Sequence, residues 1–141
     1  MQKDDTNIDW TWTDAWLLQA IQLATGDRNT GADLKGILMM GDGINHAIFT
    51  VSELKQGLEK LTAIDYVRIT SNRFFLTDKF LIAYSLISDK AKTLLKATAQ
   101  LDVLLKTNPI DKSMIIEIGN NIISKSRVNN AYLQYQQQFR Q

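Results

Sequence analysis

The chain reads as mainly α-helical with one small β-hairpin, and three observations predict it. Apolar residues recur at helical spacing in three successive stretches before residue 64. The stretch YVRITSNRFFLT, Tyr66 to Thr77, then switches to period two. Beyond it, apolar residues return in steps of four and three, the seam of a helix packed on another helix.

Residues 1–9 read as a flexible N-terminal arm. Thr13 is placed to cap a helix over Asp14–Ala24, with an acidic residue where the helix dipole favours one. Trp16, Leu17, Ala20, Ile21 and Ala24 give that helix its apolar stripe. TGDRNTG then breaks the chain with two glycines and polar turn formers. Thr30 is expected to start the second helix, with Asp33 at its third position. Leu34, Ile37, Leu38, Gly41, Ile44 and Ile48 keep near-helical spacing, so this helix is expected to run through Gly41-Asp42-Gly43 and end near Asn45–Ala47. Each glycine costs about 1 kcal/mol there.

Thr50-Val51-Ser52-Glu53 is a capping box: the threonine hydroxyl accepts from the third residue's N–H, and the glutamate reaches back. Leu54, Leu58 and Leu61 form the core stripe of a third helix ending near Ala63. With Ser71-Asn72 as a two-residue turn, Thr70 faces Arg73, Ile69 faces Phe74, Arg68 faces Phe75 and Val67 faces Leu76. One face of this hairpin is then wholly apolar. Thr77 caps a long helical seam of Phe80, Tyr84, Ile87, Ala91, Leu94, Thr98, Leu101 and Leu105. Ser88-Asp89 are good caps and offer a break within it, and Asn108-Pro109 end it. Asp111 is expected to cap a last helix carrying Ile115, Ile118 and Ile122, with the pattern decaying through Lys125 and Asn129 into YLQYQQQFRQ.

Composition narrows the function. With 141 residues the chain is one ordinary domain, or a small domain with an extension. It has no cysteine, which excludes disulfides, thiolate nucleophiles and Cys-ligated metal. The polar, acidic start is unlike a signal peptide, and the longest apolar run, Phe80–Tyr84, is too short to span a membrane. A cytoplasmic protein without membrane contact is expected. Net charge is +1 but uneven: residues 1–49 carry three basic groups against seven aspartates, and residues 88–141 carry eight basic against four acidic groups.

The order helix, helix, helix, hairpin resembles the winged-helix domains of bacterial transcription regulators. The resemblance rests on residues 14–77, chiefly LKQGLEKLTAIDYV followed by RITSNRFFLT. GDGINHAIFT also resembles a stretch of uncharacterised small bacterial proteins with this layout. The resemblance implies a winged helix-turn-helix over residues 10–87, followed by a long-helix extension, residues 88–141, that serves dimerisation.

It further implies a dimeric DNA-binding regulator, whose third helix enters the major groove with the wing beside it. Ser52, Lys55, Gln56 and Lys60 are the helix-three candidates, since Leu54, Leu58 and Leu61 point inward. Gln56 suits adenine. Arg68, Asn72 and Arg73 are the hairpin candidates, arginine at a wing being suited to the minor groove. Against this, Lys55 and Lys60 are offset by Glu53 and Glu59, whereas phosphate neutralisation supplies most DNA affinity. Arg68 can instead stack on Phe75 across the strands. The alternative is a protein-interaction module on the same scaffold without DNA binding.

An enzyme is not expected. Asp42 and His46 stand four apart on one helix face, but two ligands do not make a metal site and no second histidine exists. Neither a catalytic residue, a metal nor a cofactor is assigned. Asp42, Asn45 and His46 are expected to hydrogen-bond backbone between helices two and three. Trp16 fits the core stripe. Trp10 and Trp12 are expected to cover the extension or a partner subunit.

Overall fold

The computed structural model describes residues 7–87 and 93–138. These residues are mainly helical, with one two-stranded antiparallel sheet. Helix α1, Trp12–Ala24, starts two residues earlier than its pattern predicted. The cap is Thr11, not Thr13: Asp14 Oδ2 accepts from the Thr11 N–H at 2.8 Å. Helix α1 is the central element, with Ala15, Leu17, Leu18, Ala20 and Ile21 fully buried.

Helix α2, Leu34–Asn45, is capped by Asp33, whose side chain accepts from the Gly36 N–H at 2.8 Å. Thr30 therefore precedes the helix instead of starting it, since an aspartate at the third position is itself a strong cap. The helix passes through Gly41-Asp42-Gly43 as expected, and His46 ends it in the left-handed region at φ 53°. Gly41 is needed for packing: a Cβ there would collide with the Phe49 ring. The close approach lets the Trp16 indole N–H donate to the Gly41 carbonyl at 2.8 Å and stack on Phe49 with centroids 3.7 Å apart.

Helix α3, Val51–Ala63, carries the expected capping box. Thr50 Oγ1 accepts from the Glu53 N–H at 3.1 Å, and Glu53 Oε1 accepts from the Thr50 N–H at 2.9 Å. Leu54, Leu58 and Leu61 are fully buried. Strands β1, Val67–Thr70, and β2, Arg73–Leu76, pair in the predicted register. Ser71 and Asn72 both adopt positive φ, 51° and 62°, as a tight two-residue hairpin turn requires. Ala32, between α1 and α2, pairs with Phe74 through two backbone hydrogen bonds of 2.8 and 2.9 Å.

The seam after Thr77 is two helices: α4, Asp78–Ser85, and α5, Leu94–Lys106, the latter capped by Thr93. The expected break at Ser88-Asp89, like Ala91 of the seam, lies outside the described residues. Thr98, Leu101 and Leu105 of α5 are fully buried, and α5 lies along α1.

The last helix is not where the apolar pattern put it. Asp111 caps only a single 3-10 turn, Lys112–Met114. Residues 115–124 form no helix or strand, and helix α6 is Lys125–Gln138, packed on α2. The isoleucines misled because their spacing is helical. They are β-branched, and Gly119-Asn120-Asn121 interrupts them, a combination with poor helix propensity. The Ser124 hydroxyl instead accepts from the Arg127 N–H at 3.2 Å and starts α6.

One hydrophobic cluster runs from Trp10 through α1–α3 and the hairpin to Leu105, Ile110, Ile123 and Val128. The described part of the N-terminal arm is tied to it. The Ile8 N–H donates to the Ile110 carbonyl at 2.9 Å, Asn7 bridges Asp111, and the Trp10 indole N–H donates to the Asn108 carbonyl at 2.8 Å. Residues 1–6 of that arm lie outside the described residues. Trp10 thus covers the start of the C-terminal region, while Trp12, 37% exposed, lies against Trp16 with centroids 6.2 Å apart.

Candidate interaction surface

Helix α3 was expected to turn Lys60 outward, and it does not. The Lys60 ammonium donates to Asp14 Oδ2 at 2.5 Å and to the Asp9 carbonyl at 3.1 Å, 5.6 Å from the Trp10 ring centre. Both side chains of the ion pair are more than nine-tenths buried. Gly57 makes room for this crossing of α1 and α3, since a Cβ there would press on Leu17 and Asp14. The inward turn has an electrostatic cause. Asp14 caps α1 in the core, and a buried carboxylate needs a partner charge.

The rest of the outward face of α3 is partly closed. Lys55 Nζ donates to Asn120 Oδ1 at 2.6 Å. Glu59 Oε2 accepts from the Ile118 N–H at 2.8 Å. Both partners belong to residues 115–124, which cross this face as a strap. Ser52 and Gln56 remain exposed, with the Gln56 amide donating to Ser52 Oγ at 3.2 Å. Between α3 and the strap lies a cleft of about 330 Å³, lined by Ile8, Gln56, Glu59, Ile115 and Glu117 among others.

On the hairpin, Asn72 is exposed at the turn and Arg73 is half-buried opposite Thr70. Arg68 is exposed and faces Phe75 in register, but its guanidinium reaches Asp65 at 3.1 and 3.3 Å. This hydrogen bond holds the Asp65 carboxyl below the usual carboxylate range and raises Arg68.

The His46 backbone N–H donates to the Asp42 carbonyl at 2.7 Å, ending α2. The Asp42 carboxylate accepts from the Tyr135 hydroxyl at 2.7 Å, tying α6 to α2, instead of bonding backbone before α3. That bond, with burial and the Asp42 charge, pushes the Tyr135 phenol up. Among the described residues no group of three or more His, Asp or Glu side chains converges as a metal site. Among the same residues no helix is long and apolar enough to cross a membrane.

A second concave surface lies between α4 and α5. It measures about 400 Å³ and is lined by Ala83, Leu86, Ile87, Val103 and Leu104 with Gln100 and Thr107. Among the described residues no charged side chain lines it. Leu86 is 84% exposed and Val103 66%.

Sequence reasoning missed the contacts that Asp14, Ile118 and Asn120 make with Lys60, Glu59 and Lys55 of α3. Their partners lie 46 to 65 residues away along the chain, so no local periodicity signals them. No known protein family, characterised protein or solved structure matches the chain.

Proposed function

We propose that this chain is a protein-interaction module on a winged-helix-like scaffold, working through contacts with proteins and not by reading DNA. The order α1, α2, α3, hairpin supports the scaffold, as does the pairing of Ala32 with Phe74 beside the hairpin. The observation that carries the reading is the state of the two α3 lysines. Lys60 neutralises Asp14 inside the core and Lys55 is bonded to Asn120. A DNA-reading helix needs such cations to replace the counterions of the phosphates.

The groove between α4 and α5 favours a second copy of the chain as one partner. A two-fold contact sets each surface group against its own copy, which disfavours charge, and the described residues that line this groove are uncharged. Leu86 and Val103 stand out from it as apolar ridges.

The test is a salt titration of binding to random duplex DNA, beside light scattering of the full chain. The expected outcome is no salt-dependent DNA binding and a dimer at micromolar concentration that Leu86→Asp dissociates. A DNA affinity falling steeply with salt, with a slope of several units, overturns the reading in favour of the DNA-binding regulator.

A further inference from the structure

We infer that the outward face of α3 is a peptide-docking surface that the chain occupies with its own residues 115–120. This rests on the interaction-module reading and names the chemistry of the partner: an extended segment with an aliphatic residue followed two positions later by asparagine.

The strap already displays that mode of contact. Its Ile118 backbone N–H is bound by the Glu59 carboxylate, its Asn120 carboxamide by the Lys55 ammonium, and Ile118 is 93% buried. A main-chain bond, a side-chain amide bond and one buried aliphatic group are what a docked peptide uses. The ends of the strap are fixed independently of it. Ile110 is buried and carries the bond from Ile8, and Ile123 is fully buried ahead of α6. The residues between have no regular structure, and Ile116 is 80% exposed. Of residues 115–120 only Ile118 is buried, and a segment held by one buried side chain opens more readily than the helices beneath it. The strap can therefore lift while its anchors stay in the core. The cleft beside it, walled by Gln56, Glu59 and Ile115, shows that the face is wider than the strap that covers it.

The experiment has two parts, both on the full chain. Hydrogen exchange of the wild type is measured first. The Ile118 amide should exchange at least tenfold faster than the amides of α1, with no response to sub-denaturing urea, and Glu59→Ala should speed it further. Exchange of Ile118 at the rate of global unfolding overturns the inference. A labelled peptide of residues 113–122 is then titrated. A variant with a weakened strap, Ile118→Ala with Asn120→Ala, should bind it at least tenfold more tightly than the wild type. Adding Glu59→Ala should remove that gain, and a peptide with the asparagine of position 120 replaced by alanine should bind more weakly. Equal binding to wild type and variant, or binding that survives Glu59→Ala, overturns the inference. If the double variant does not fold, the wild-type exchange decides. Failure here with a dimer present and no DNA binding leaves the interaction-module reading standing, whereas steep salt-dependent DNA binding removes that reading itself.

Discussion

Helices α1 and α6 are nearly equal in length but are held in different ways. Helix α1 has 13 residues and buries eight of them, including both an aspartate and a glutamine. Helix α6 has 14 residues and buries only Val128 and Ala131, with the Tyr135–Asp42 hydrogen bond adding a polar tie to α2. The strap that leads into α6 is likewise joined to α3 by two polar contacts. Stability therefore resides mainly around α1. Burial around α1 is close-packed, so losses there are felt as cavities or as orphaned charge. The strap and α6 bury fewer side chains, Ile118, Ile123, Val128 and Ala131, and add polar bonds that water can replace.

The contrast can be broken first at the buried ion pair. Lys60→Met should cost about 3–5 kcal/mol, because it leaves the buried Asp14 carboxylate without its counter-charge, with only the Thr11 hydrogen bonds remaining. Urea unfolding checks it. A loss below roughly 1 kcal/mol would mean that Lys60 is in fact solvated. Leu58→Ala, at a fully buried position of α3, should cost about 2–5 kcal/mol. Tyr135→Phe removes the hydroxyl that ties α6 to α2 and should cost about 0.5–1.5 kcal/mol. If it costs as much as Leu58→Ala in the same assay, the two regions are not held differently.

Thr50→Ala sharpens the picture within α3. It removes the hydroxyl half of an exposed capping box and should cost about 1 kcal/mol. An unchanged urea midpoint would show that the Glu53 half suffices. The smallest effect belongs to Asp65. Its folded carboxyl is held below the usual value by the Arg68 hydrogen bond, so its contribution is present above the unfolded carboxylate pKa and is lost as pH falls through the folded one. An NMR titration should place the Asp65 midpoint low and Arg68→Ala should return it toward the ordinary value.

The same contrast explains what could be read from the sequence. The capping box at Thr50, the leucine stripe of α3 and the hairpin register were legible because each is set within a few residues, by a cap, a period or a turn. The start of α1 was misplaced by two residues because Thr11 and Thr13 are both cap-forming, and only Asp14 at the third position after Thr11 distinguishes them. Helix α6 was legible in principle: Val128, Ala131, Tyr132 and Tyr135 keep helical spacing behind Ser124. Five isoleucines at residues 115–123 gave a stronger apolar signal for a segment that is not helical. The surface was least legible. Lys60 reads as an exposed lysine on an amphipathic helix until Asp14, 46 residues away, is brought beside it. Charge pairing across the core is a tertiary fact and leaves no periodic trace.

The bond between the Trp10 indole and the Asn108 carbonyl, together with the Ile8–Ile110 bond, has a consequence during synthesis. The partners of Trp10 and Ile8 leave the ribosome roughly 5–20 s after these residues do, at ordinary elongation rates. Until then α1 through the hairpin can assemble, but its N-terminal edge stays unclosed and the Lys60–Trp10 contact lacks its outer cover. Closure of this ring of about 100 residues makes a late, high-contact-order step. Trp10 fluorescence on stalled nascent chains would report it as a change that comes only after residue 110 has emerged.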